Sequence, residues 1–106
     1  MIVYAAIGML AAFTLFYHLG DRLLWGDEAT TAVLAVNVTK FGVPRTVDGR
    51  NHITLFGPEI DSNSNLVWVW TPWAAEYSAA ASFALFGESA HTARLPFALI
   101  ALVSLC

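Results

Sequence analysis

From Ile2 to Leu19 the chain carries no formally charged side chain. Wound as a helix at about 1.5 Å per residue, such a run spans roughly 27 Å. That is close to the ~30 Å hydrocarbon thickness of a bilayer, so the sequence reads as a transmembrane helix over 2–19. A cleaved secretory leader is the competing reading. It fits less well, because no Lys or Arg precedes the run and the run exceeds the usual length of a leader's apolar core. Composition supports the first reading: 58% of the 106 residues are hydrophobic and 12% charged, against about a quarter charged in ordinary globular domains. The formal charge of -3 offers no basic patch, which argues against a nucleic-acid partner. The lone Cys106 excludes an internal disulfide and a cysteine-built zinc site.

Residues 20–71 then form a more polar connection. Trp25-Gly26-Asp27-Glu28-Ala29 opens it, and Glu28 to Phe41 follows with apolar residues at three- and four-residue spacing. Asp27 stands where an N-cap is wanted, Gly42 just past the end and Pro44 beyond. This segment is too short and too polar to span, so it is expected as an amphipathic helix lying at the interface, over 28–41. Val43 to Asn65 has no sustained period. Asp48-Gly49 predicts a small hairpin, Phe56-Gly57-Pro58 a turn, and Asp61 to Asn65 a polar loop. Asn37-Val38-Thr39 spells a glycosylation sequon, but inside a helix it reads as coincidence.

Thr71-Pro72 is the expected start of a second spanning helix over 72–86, closed by Gly87. Its Ala and Ser residues would let neighbouring helices approach closely. Leu95-Pro96 is expected to open a third, over 95–106. At 12 residues, or roughly 18 Å, that run would stop inside the bilayer, so the chain reads as the N-terminal piece of a larger protein. The expectation is an all-α, multi-pass membrane protein. Arg22 and Arg94, the charges nearest the helix ends, do not decide its orientation.

Three groups of residues could carry chemistry. Asp27 and Glu28 are adjacent carboxylates beside a membrane helix; a carboxylate gains basicity beside another or when partly desolvated. The same pair also describes an ordinary capped helix start. Glu76 is an ionisable residue within an apolar helix, a substrate-binding candidate by position. Near the first turn it could equally reach water or complement the helix dipole. His52, Glu59 and Asp61 are metal-ligating types, but their spacing matches no ligand pattern.

The order of motifs resembles the N-terminus of GT-C class membrane glycosyltransferases, nearest to the protein mannosyltransferase and aminoarabinose transferase group. The likeness rests on the first apolar helix, Asp27-Glu28-Ala29, Thr71-Pro72-Trp73, Phe86-Gly87-Glu88-Ser89 and Ala93-Arg94-Leu95-Pro96. It departs from the family at Thr71, Trp73 and Ala74, where a second Pro or a His is common, and the loop from Val43 to Asn65 has no counterpart. The resemblance implies transfer of a sugar from a polyprenyl-phosphate carrier to a hydroxyl acceptor at the extracytoplasmic membrane face. It implies Asp27 as base and Glu28 as organiser of the loop or acceptor. It implies no certain cofactor, with a divalent metal compatible, and Arg94 on the cytoplasmic side, remote from the phosphate. As part of such an enzyme this piece would be inactive alone. Two other classes remain open: a non-enzymatic membrane subunit that packs through its Ala/Ser-rich helix, and a transport protein with Glu76 in a polar pathway.

Overall fold

The computed structural model describes residues 1–105; Cys106 and the end of the 95–106 run lie outside the described residues. Among the described residues there are five helices, α1 (Ile2–Phe16), α2 (Asp27–Phe41), α3 (Pro58–Asp61), α4 (Ala74–Phe86) and α5 (Ala90–Val103). The molecule is elongated, 55 × 22 × 22 Å.

The core sits between α2 and α4. Ala32, Ala35 and Val38 of α2 meet Ala79, Ala80 and Phe83 of α4, with Ala93 of α5 closing the cluster. Small side chains on both helices let the backbones approach, the property expected of 72–86. Here, however, the neighbour is α2, the segment expected to lie at the interface. Tyr77 ties the two helices at one end, its hydroxyl donating to the Gly42 carbonyl at 2.6 Å. Gly42 ends α2 in the left-handed conformation at φ 78°, and its N–H returns to Val38, the geometry that favours glycine after a helix. Between α2 and α4, residues 43–73 fold back on themselves through isolated bridges at Arg45–Val67, Val47–His52 and Ser62–Trp68. Trp68, a member of the last of these, is fully buried.

The expected multi-pass membrane architecture is corrected here. No helix of the described residues is long and apolar enough to cross a membrane, so the integral membrane location inferred from composition falls with it. α1 has 15 residues, or about 22 Å at helical rise. It stops short of the uncharged run's end because Tyr17 is extended and His18 sits at φ 57°. The His18 ring pairs with the Asp21 carboxylate across this turn. α4 has 13 residues and begins after Trp73, not at Pro72. α5 begins at Ala90 rather than Leu95: Ser89 and Thr92 form a reciprocal capping box, which satisfies two of the N–H groups a helix start leaves bare. Pro96 is thereby inside α5, where it offers no N–H to the carbonyl one turn back.

α1 buries none of its residues and rests mainly on α5. The link after it is held tightly by one glycine. A Cβ on Gly20 would stand 2.8 Å from the Cβ of His91, whereas one on Gly8 would meet nothing within 4 Å. Gly20→Ala therefore forces the 17–26 link away from α5 and is expected to cost about 1–3 kcal/mol. Gly8→Ala, inside an exposed helix, should stabilise by about 0.5–1 kcal/mol. Thermal melts of the two variants check the contrast; equal melting temperatures would show that the link is not seated on α5.

Candidate functional site: an apolar groove with an acidic mouth

A groove of about 490 Å³ runs between the end of α1, the following link, the first turn of α2 and one side of α5. Leu15, Leu19, Leu24, Phe97, Ala98 and Ala101 supply its apolar walls, with Asp27, Glu28, Thr31 and Arg94 as its polar residues. The alternation of small and large side chains on α5 creates the space, since Ala93, Ala98 and Ala101 leave room beside Phe97. The polar residues come from the first two turns of α2 and of α5, which places them together at one part of the groove.

Arg94 organises them. Its Nε donates to Glu28 Oε1 at 3.1 Å and its Nη2 to Glu28 Oε2 at 2.8 Å, the forked pairing suited to a carboxylate. Nη1 donates to the Leu19 and Arg22 carbonyls, at 3.0 and 2.9 Å, and Nη2 also to the Leu23 carbonyl at 3.2 Å. A guanidinium has five N–H donors, and each is used. The link between α1 and α2 has few backbone bonds of its own, so this side chain fixes its path. The expectation that Arg94 lies opposite Asp27 and Glu28 is corrected: α5 starts a turn earlier than Leu95-Pro96 suggests, and Arg94 faces the α2 N-terminus. The Arg94 hydrogen bonds hold Glu28 below its ordinary value against the opposing effect of burial. Glu28 in turn raises Arg94 above its usual value.

Asp27 differs from its neighbour. It is the first residue of α2, not the cap; the cap position belongs to Gly26 at φ 49°, and no side chain caps this helix. The Asp27 carboxylate is exposed, lines the groove and makes no hydrogen bond or ion pair among the described residues. The capping role that the sequence pattern suggested for it is not the one it plays. Its place at α2's positive end still favours a carboxylate electrostatically.

The other candidate residues lie elsewhere. Glu76 is 2% exposed, in the first turn of α4. It does not line the groove, although its neighbour Ala75 does. Thr71 Oγ1 donates to its Oε1 at 3.4 Å while Oε2 has no partner, so burial removes the reading in which it reaches water. Asp61 is buried, with Oδ2 accepting from Thr54 and from the N–H groups of Leu55, Phe56 and Gly57. Burial opposes its ionisation, but those donors outweigh it and hold it below the ordinary range. Asp61 is thus the organiser of a turn. His52 belongs to the bridge with Val47, and no group of three His, Cys, Asp or Glu among the described residues is placed to hold a metal ion. Asn37 of the sequon is fully buried and donates to the Arg45 carbonyl at 2.6 Å.

The site residue that sequence reasoning missed is Arg94. Ser89-Ala90-His91-Thr92 was the available signal, since a Ser followed three residues later by a hydroxyl side chain can open a helix there and carry Arg94 into its second turn. No known protein family matches this sequence, and no characterised protein or solved structure is detectably similar to it.

Proposed function

We propose that this site takes part in sugar transfer from a prenyl-phosphate-linked donor to a hydroxyl acceptor, with Asp27 as the base. The observation that carries the reading is the unpaired Asp27 carboxylate at the polar part of an apolar groove, beside a Glu28 that Arg94 neutralises. An amphiphile matches that layout: its isoprenoid tail covers Leu15, Leu19, Phe97 and Ala101 while its head lies by Asp27. The order of motifs along the chain supports the same class.

The chemistry needs a base at the acceptor. The acceptor oxygen forms a bond to the anomeric carbon as the bond from that carbon to the phosphate oxygen breaks. Asp27 takes the acceptor's proton, and the prenyl phosphate leaves with the bonding pair. A base must have a free lone pair within reach of that proton. Both Asp27 oxygens are unengaged, whereas each Glu28 oxygen accepts from Arg94, which makes Glu28 the weaker base. The non-enzymatic alternative, packing through the Ala/Ser-rich helix, is less favoured because α2 already covers Ala79, Ala80 and Phe83.

Titration with farnesyl phosphate tests the groove. Ala101→Phe fills part of it from a position only half buried and is expected to weaken binding about tenfold, a loss of about 1.4 kcal/mol. Unchanged affinity in a variant that melts like the parent would remove the tail from this groove.

A further inference from the structure

Among the described residues, α1 is the one helix that buries none of its side chains. Ala11, Ala12, Leu15 and Phe16 are half-buried and mark the side that rests on α5. At about 100° per residue the opposite side carries Val3, Ala6, Leu10 and Phe13, with Tyr17 continuing the line just past the helix end. These five recur at alternating three- and four-residue intervals, the spacing of a seam along which two helices pair. Val3, Leu10, Phe13 and Tyr17 are each at least 60% exposed. The Phe13 and Tyr17 rings stack on one another with centroids 4.8 Å apart. An aromatic side chain alone carries about 150–250 Å², so the exposed large residues from Ile2 to Tyr17 present on the order of 1,000 Å² of apolar surface. The largest apolar patch on a typical monomer is about 300–600 Å², whereas a stable interface covers about 800 Å² on each partner. By area, α1 is half of an interface.

The absence of charge narrows the occupant. No Lys, Arg, Asp or Glu stands between Ile2 and Leu19, so α1 selects nothing by ion pairing, and a fitting partner presents an uncharged apolar face of its own. A helix that lies on a lipid surface keeps one strongly polar face, commonly with Lys or Arg, and α1 has none. The chain itself supplies the matching face, and a two-fold pairing sets the same patch against itself. We infer that α1 pairs with α1 of a second copy, antiparallel, with Leu10 at the two-fold axis. Leu10 is the midpoint of the seam from Val3 to Tyr17, so the antiparallel arrangement brings Val3 toward Tyr17 and small Ala6 toward large Phe13. The formal charge of -3 lies wholly beyond α1. Antiparallel helices keep the two charged bodies at opposite ends and oppose the helix dipoles; parallel ones would set like charges side by side.

Sedimentation velocity of the purified protein in detergent-free buffer, over a concentration series, tests the pairing. The parent is expected to sediment as a dimer. Leu10→Glu and Phe13→Glu each place like charges against one another in the seam and should raise the dissociation constant about a hundredfold. Neither side chain is buried, so both variants should melt like a monomer of unchanged fold. Leu85→Glu, at an equally exposed apolar position in the last turn of α4, is the comparison and should remain dimeric. With Cys106 replaced by Ser, Leu10→Cys should close a disulfide to its own copy on oxidation with diamide, and Val3→Cys should not. A parent that stays monomeric at every concentration overturns the inference, as does a dimer that Leu10→Glu and Phe13→Glu leave intact. A monomeric parent that floats with phosphatidylcholine vesicles overturns it too, and gives the face to lipid. Disulfides that form as readily at Val3→Cys as at Leu10→Cys overturn the antiparallel arrangement.

Discussion

Arg94→Ala is expected to lower the melting temperature by about 10 °C and to disorder the link between α1 and α2. The substitution removes the forked pair with Glu28 and the donors to the Leu19, Arg22 and Leu23 carbonyls together. Hydrogen bonds from a charged group contribute more than neutral ones. Solvent discounts them here, since the Glu28 side chain is 49% exposed while that of Arg94 is 18%. About 2 kcal/mol is a reasonable net loss, and at this chain length each kcal/mol moves the melting temperature by about 4–8 °C. Arg94→Lys should recover only a small part, because an ammonium cannot fork across a carboxylate while serving carbonyls on another segment.

The effect has a pH signature. Glu28 is held below its ordinary value of 4.5 by Arg94. A depressed carboxylate contributes stability that is present above its unfolded value and is lost as pH falls through its folded one. The gap between parent and Arg94→Ala should therefore narrow once pH drops below about 4.5. It should not close, because the three carbonyl bonds do not titrate. Thermal melts from pH 7 to pH 3 measure this; a gap that widens toward acid would show that Glu28 is not Arg94's partner.

Asp27→Asn is expected to abolish most sugar transfer while leaving the fold and the donor affinity in place. Loss of a general base typically costs 10²–10⁴-fold in rate. The structural cost should be near zero, because the carboxylate makes no hydrogen bond or ion pair and caps nothing. Substitutions at such surface positions usually fall within about 0.5 kcal/mol. Glu28→Gln should behave in the opposite way, losing stability through Arg94 and activity only in proportion. Single-turnover rates with a prenyl-phosphate sugar, beside melting curves, distinguish the two carboxylates. Turnover at the parental rate in Asp27→Asn would remove it as base.

The contrast between Asp27 and Glu28 also marks how far the sequence could be read. That α2 begins at the Asp-Glu pair and ends at Gly42 was legible from local chemistry, because those signals act within a few residues. The Asp48-Gly49 hairpin was legible for the same reason: the Asp48 carboxylate accepts from the Arg50 and Asn51 N–H groups, which hold it near a pKa of about 2. What apolarity could not reveal was where helices stop. An uncharged run through Leu19 looks continuous, yet Tyr17 and His18 leave the helical region, and no pattern in the run announces it. The small side chains of α4 correctly signalled close packing but not the partner, since an Ala face fits any helix that presents another. The place of Arg94 is obscured in the sequence for a compound reason. Pro96 resembled a helix start, and the stronger signal, the Ser89–Thr92 box, lay in residues that read as a link.

Under the proposed function, an amphiphile lies along α5 with its head beside Asp27. Photo-crosslinking with farnesyl phosphate that carries a diazirine at the far end of its tail tests it most directly. Adducts are expected on Leu15, Phe97 or Ala101, abolished by excess unmodified farnesyl phosphate. Adducts confined to the shallower hollow lined by Val33, Val36, Phe83 and Ser89, or spread over α1 without competition, would contradict it.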